Sequence, residues 1–107
     1  DRNRKEKIQT VEPDQILERL DQLPVYEWQY KGEETRHLGP MAQDFHQLFG
    51  YGVDDKSISA VDVDGVLLAA IKAQQKEIEE LKETTEALKE IAAGQQKIIM
   101  ELQRKLN

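Results

Sequence analysis

The chain has 107 residues, which allows one domain. Charged residues make up 34% and apolar residues 38%, against roughly 25% and 45–50% in an average globular domain, so a single compact globule is disfavoured. A net charge of −6 speaks against phosphate-driven nucleic-acid binding. No apolar run approaches the ~18 residues of a membrane span, and the opening DRNRKEKIQT is no signal peptide. The absence of cysteine excludes a disulfide framework and thiolate chemistry.

In chain order, Lys7–Val11 is a short extended candidate. Pro13 suits the first position of a helix, with Ile16, Leu17, Leu20 and Leu23 on one face and Pro24 closing the segment. Val25–Lys31 alternates, with Tyr26, Trp28 and Tyr30 on one side, and reads as a half-buried strand. Gly32, Glu33 and Glu34 make a polar turn, and Arg36–Leu38 reads as a second strand. Gly39-Pro40 then opens a helix whose apolar stripe is Met41, Phe45, Leu48 and Phe49; Gly50 and Gly52, bracketing Tyr51, stop it. Ile58–Val63 reads as an extended lead into the tail.

All six aromatic residues lie between positions 26 and 51, and from about Asp64 the composition is that of a long helix. The expected class is α+β. A small aromatic-cored head, residues 1–63, with short strands and two short helices precedes a helical tail, residues 64–107. A head of this size is marginal alone, so a partner or self-association is expected.

The tail keeps a heptad register. One seam position holds Ile71, Ile78, Thr85, Ala92, Ile99 and Leu106; the other holds Leu67, Gln74, Leu81, Leu88, Gln95 and Leu102. A helix from Asp64 to Asn107 would be roughly 65 Å long, too long to pack on the head. Flanking Glu77 and Lys82 fit a parallel interchain pair. The seam weakens around Thr85–Gln95, where Ala92, Gly94 and Gln95 lower packing and helix propensity. Two arrangements follow: a self-associating coiled coil, or a tail folded back as a hairpin near Gly94. The heptad alone permits a dimer or a trimer.

Asp62-Val63-Asp64-Gly65, with Asp54-Asp55 nearby, shares the opening spacing of a calcium loop. It lacks the third ligand before the glycine and the terminal bidentate glutamate, so it reads as the acidic start of the long helix. His37 and His46 fall on different elements and read as polar or packing residues. No metal or other cofactor is expected. The densest feature is the start, where Arg2, Arg4, Lys5 and Lys7 crowd seven residues with Asp1 and Glu6. Such a cluster is ordinarily a solvated face; a lysine general base would require burial and neighbouring cations.

Three segments carry a family resemblance. Asp1–Ile8 is similar to the start of the intramolecular chaperone auto-processing domain, where this segment follows the nucleophilic serine (Ser-Asp-x-x-x-Lys-Glu-x-Ile). Leu38–Phe45 resembles its Gly-x-x-Ala-Gln-Asp/Glu motif, and Ile58–Asp62 through Gly65–Ile71 resembles its strand-to-helix junction. Such domains end phage tailspikes and tail fibres, including endosialidase tailspikes, and occur in bacterial surface proteins and the myelin regulatory factor.

The resemblance implies a disposable C-terminal chaperone acting as a homotrimer on an upstream fibrous domain of the same polypeptide. It would be made as a phage tail-fibre precursor in the bacterial cytoplasm, or as part of a bacterial surface protein, and released after cleavage. It implies a serine immediately before Asp1 as nucleophile, Lys5 as general base and Asp1 as the cleavage junction. The present chain would then be the released product or a stretch of the precursor lacking that serine. A different class of function stays open: a passive trimerisation module whose head caps a coiled coil. Neither reading involves a nucleic acid or a membrane.

Overall fold

The computed structural model describes residues 1–107 and is α+β: two short strands, three α-helices and a short 3₁₀ turn. It divides into two compact units, Asp1–Ala73 and Gln74–Asn107.

In the first unit, helix α1 spans Pro13–Asp21. Pro13 occupies the first turn, where its missing N–H has no partner to lose. The helix tightens at its end, where the N–H groups of Gln22 and Leu23 reach three residues back to Arg19 and Leu20. Strands β1, Tyr26–Trp28, and β2, His37–Gly39, form an antiparallel pair that sets Tyr26 opposite Gly39, Glu27 opposite Leu38 and Trp28 opposite His37. Their connection turns at Gly32, whose φ of +82° is open to glycine, and the Glu33 N–H donates to the Tyr30 carbonyl. Helix α2 spans Ala42–Phe49 and ends on Gly50 at φ +69°, whose N–H donates to the His46 carbonyl.

Helix α3 runs from Ala60 to Leu106 as one element. The carbonyl of Ser59 accepts from the N–H groups of Asp62 and Val63, both at 3.1 Å, so the first helical turn is already closed there. The core of the first unit is small. Ile16 of α1, Phe45 and Phe49 of α2, and Val66 of α3 are buried, and Leu20, Leu23, Leu48, Ile58, Val63 and Ala69 pack against them. Ala70 and Ala73 are buried on the same helix. The second unit is the remainder of α3, and every residue from 74 to 107 is exposed.

Four expectations need correction. Lys7–Val11 forms no strand: Lys7 has a left-handed φ of +54°, which breaks an extended run, and the segment pairs with neither strand. Ala60–Val63 is helical rather than extended, because burial of Val63 and Val66 outweighs the slight helix penalty of β-branched residues. The head is aromatic-cored only in part. Phe45 and Phe49 meet at 5.0 Å in the core, while Tyr26, Tyr30 and Tyr51 are exposed. Finally, no turn interrupts α3 at Gly94, so the tail is not a hairpin.

Candidate functional site

The N-terminal segment is ordered by its own backbone chemistry. Arg2–Arg4 forms the 3₁₀ turn, capped by Asp1, whose carboxylate Oδ1 accepts from the Asn3 N–H at 2.9 Å. The Arg4 N–H donates to the Asp1 carbonyl and the Lys5 N–H to the Arg2 carbonyl, each at 3.2 Å. Lys5 then leaves the turn in an extended conformation. Asp1 and Lys5, the two expected catalytic-region residues, therefore flank one tight turn. The side chains of this segment are not buried: Asp1, Arg2, Arg4, Lys5, Glu6 and Lys7 are all exposed. The role of Asp1 as a cap was not legible in its resemblance to a cleavage junction. Its signal was the ordinary one, an aspartate two residues before a free backbone N–H.

The second motif, Leu38–Phe45, crosses from β2 into α2. Its contribution is architectural: Asp44 lies in the first turn of α2, where the helix dipole favours an acid, and Phe45 is a core residue. The third, Ile58–Ile71, is likewise built around burial, through Ile58, Val66 and Ala70. In these two motifs Phe45, Ile58, Val66 and Ala70 thus serve the packing of the head, whereas Leu38, Leu67, Leu68 and Ile71 are exposed.

Between α2 and α3 the chain is held by local hydrogen bonds. His46 Nδ1 donates to the Tyr51 carbonyl at 3.3 Å when it carries the ring proton. The Asp54 carboxylate accepts from the Lys56 N–H at 2.9 Å, the Ser57 N–H at 3.1 Å and the Ser57 hydroxyl at 3.0 Å. The hydrogen bond from Lys56, followed by that from the Ser57 side chain, lowers the Asp54 pKa below the ordinary carboxylate value of 3.8. Asp62 and Asp64 belong to the opening turns of α3. His37 stacks on Trp28 with ring centres 4.8 Å apart, and Tyr30 meets the indole edge-on at 4.9 Å. The indole N–H of Trp28 is buried without a hydrogen-bond partner.

The seam residues lie on α3 with their side chains in the open. Leu67 is 44% exposed, Ile71 59%, Leu81 65% and Leu88 59%. Ile78, Ile99, Leu102 and Leu106 are exposed as well, as are the polar or small members Gln74, Thr85, Ala92 and Gln95. In the first turns of α3, neighbouring apolar faces therefore have different fates. Val66, Ala70 and Ala73 are buried within the head, whereas Leu67 and Ile71 are not. Val61 and Leu68, missed in the heptad reading, extend the exposed face, and their seven-residue spacing was the available signal. Lys82, expected to pair with Glu77 of another chain, lies 3.8 Å from Glu79 of its own.

Comparison with known proteins returns one family. The family described as chaperone of endosialidase matches residues 1–54, which include the 3₁₀ turn, α1, both strands and α2. No curated protein and no solved structure matches the chain. The match takes in half of the 107 residues, and the chain belongs to the chaperone-of-endosialidase family.

Proposed function

We propose that this chain is an intramolecular chaperone that joins three copies of an upstream fibrous domain in register and is then cut away. The observation that carries the reading is the pairing of the family match over residues 1–54 with a tail whose heptad seam is exposed along its whole length. An exposed stripe of Ile and Leu at heptad spacing is stable only when other helices cover it. Ile at most strong positions of one seam column, with Gln in the other, suits a parallel trimer. Three chain ends held together this way raise one another's effective concentration, and a fibre rich in nonlocal contacts needs that help to nucleate. Cleavage afterwards removes the link between chaperone and fibre, which leaves the fibre kinetically trapped.

For the cut, a serine before Asp1 would attack the carbonyl carbon of the junction peptide bond, with neutral Lys5 accepting its proton. Lys5 would return that proton to the nitrogen as the C–N bond breaks, and water would then hydrolyse the resulting ester. A lysine base needs desolvation or neighbouring cations to be neutral. Arg2, Arg4 and Lys7 supply cations in sequence, but Lys5 is exposed in the single chain. The missing desolvation would come from a neighbouring copy or from the upstream segment, which ties cleavage to assembly. That same exposure favours the competing reading, a passive trimerisation module with no cleavage.

The test is a longer chain with serine before Asp1 and its natural upstream stretch. It should cut itself near that serine as it folds. Lys5→Arg keeps the charge and removes the proton acceptor, so that chain should stay whole while still assembling. Lys7→Arg should cut normally. Normal cleavage by an assembled Lys5→Arg chain would rule Lys5 out as the base and leave the passive module.

A further inference from the structure

Beside the seam runs a column of tail side chains of which only Glu77 has been given a partner, Lys82 of a neighbouring chain. At seven-residue spacing it reads Glu77, Thr84, Ile91, Ile98, Lys105: acid, polar, apolar, apolar, base. Ile91 is 56% exposed and Ile98 58%. They widen the apolar face of the tail from two positions in seven to three, and a seam between parallel helices does not require the third. In a parallel assembly the residues flanking the seam meet those five positions further on in the neighbouring chain. For Ile91 and Ile98 these are Gln96 and Gln103, so neither isoleucine gains an apolar partner there.

The column is complementary to itself when reversed. With a second copy antiparallel and Ile91 set against Ile91, each Ile98 faces a Thr84 and each Lys105 faces a Glu77. A parallel pairing of two such columns would instead oppose Glu77 to Glu77 and Lys105 to Lys105. Reversal turns both repulsions into attractions, and the two-fold axis through Ile91 makes the contact isologous. We propose that assemblies of this chain join tail to tail, with a second copy seated antiparallel on this column. The contact rests on the parallel trimeric seam, which leaves the column outside the buried core. It is small, two isoleucine positions and two exposed ion pairs per chain pair, so the association is weak and concentration-dependent.

A zero-length carbodiimide crosslinker applied to the unaltered protein tests the contact, because it joins lysine amines to carboxylates that already touch. Glu77 and Lys105 are about 42 Å apart along one helix, so they cannot be linked within a chain or within one parallel assembly. The expected result is a Glu77–Lys105 linkage found by peptide mass, with yield rising with protein concentration. Ile91→Lys sets two ammonium groups against each other at the two-fold and should cut that yield about tenfold or more. It should leave the mass of the single assembly unchanged. Absence of the linkage, or its persistence in the Ile91→Lys protein, overturns the contact. A mass of one chain at low concentration would instead count against the trimeric seam.

Discussion

The two units solve the same physical problem differently. The head, Asp1–Ala73, covers Ile16, Phe45, Phe49 and Val66 with residues from three helices of one chain. The tail, Gln74–Asn107, covers nothing, although Ile78, Leu81, Leu88, Ile99 and Leu102 repeat along it. Within the chain it has helix propensity and a few side-chain pairs, Gln75 with Glu79, Lys82 with Glu79 and Lys89 with Glu86. Such pairs contribute only about 0.2–0.5 kcal/mol each. The head thus contains its own core, whereas the tail buries none of its apolar seam within the chain; under the proposed function, further chains would cover it.

The comparison breaks most visibly at Phe45. It is 3% exposed, and Phe45→Ala should destabilise the head by about 3–5 kcal/mol. Circular dichroism and Trp28 fluorescence should then separate: the indole signal moves to that of an unfolded head while helix content from the tail persists. Loss of both together would mean the units do not fold independently. Next comes Leu81→Ala. Leu81 is 65% exposed in the chain, so a solvated tail should lose less than about 0.5 kcal/mol. If the seam is buried between copies, the loss should be about 2–5 kcal/mol per chain, read as a lower concentration-dependent melting midpoint.

Much of the head was legible because its punctuation is strong. Pro13 and Pro24 bracket α1, Gly50 ends α2 with a left-handed cap, alternation located β1 although its end was placed three residues late, and the Gly39-Pro40 signal placed β2 within one residue. The start of α3 was not legible. Val61 and Val63 resemble strand residues locally, and only tertiary burial of Val63 and Val66 shows that the segment is helical. The same limit affected the aromatics. Alternation grouped Tyr26, Trp28 and Tyr30 on one side of a strand, but the strand ends at Trp28, and Trp28 and Tyr30 pack with His37 as a cluster separate from the core. At the start of the chain, the match to a motif named Lys5, while its exposure depends on surroundings that no local pattern contains.

Two glycines sharpen the contrast with opposite signs. Gly50, at φ +69°, should lose about 1 kcal/mol or more on replacement by alanine, because a Cβ is strained there whatever the free space. Gly94 sits inside α3 with open space around a would-be Cβ, so Gly94→Ala should stabilise the tail by about 1 kcal/mol. Thermal melts of the two variants should move in opposite directions.

The smallest effect is in acid. Asp54 has a lowered pKa in the folded chain, so its contribution is fully present above the unfolded value of 3.8 and disappears as pH falls through the folded one. Asp54→Ala should lower the head's midpoint slightly at neutral pH, and the difference from the parent should shrink in strong acid. An unchanged difference there would mean that the carboxylate's charge is not what holds Lys56 and Ser57.

Light scattering coupled to size exclusion tests most directly whether the tail's missing core lies on other chains. Dilute protein should give about three times the 12.3 kDa chain mass, and a chain ending at Ala73, which keeps the whole head core, should fall to a single-chain mass. A full-length chain that reads 12.3 kDa at tens of micromolar would contradict it.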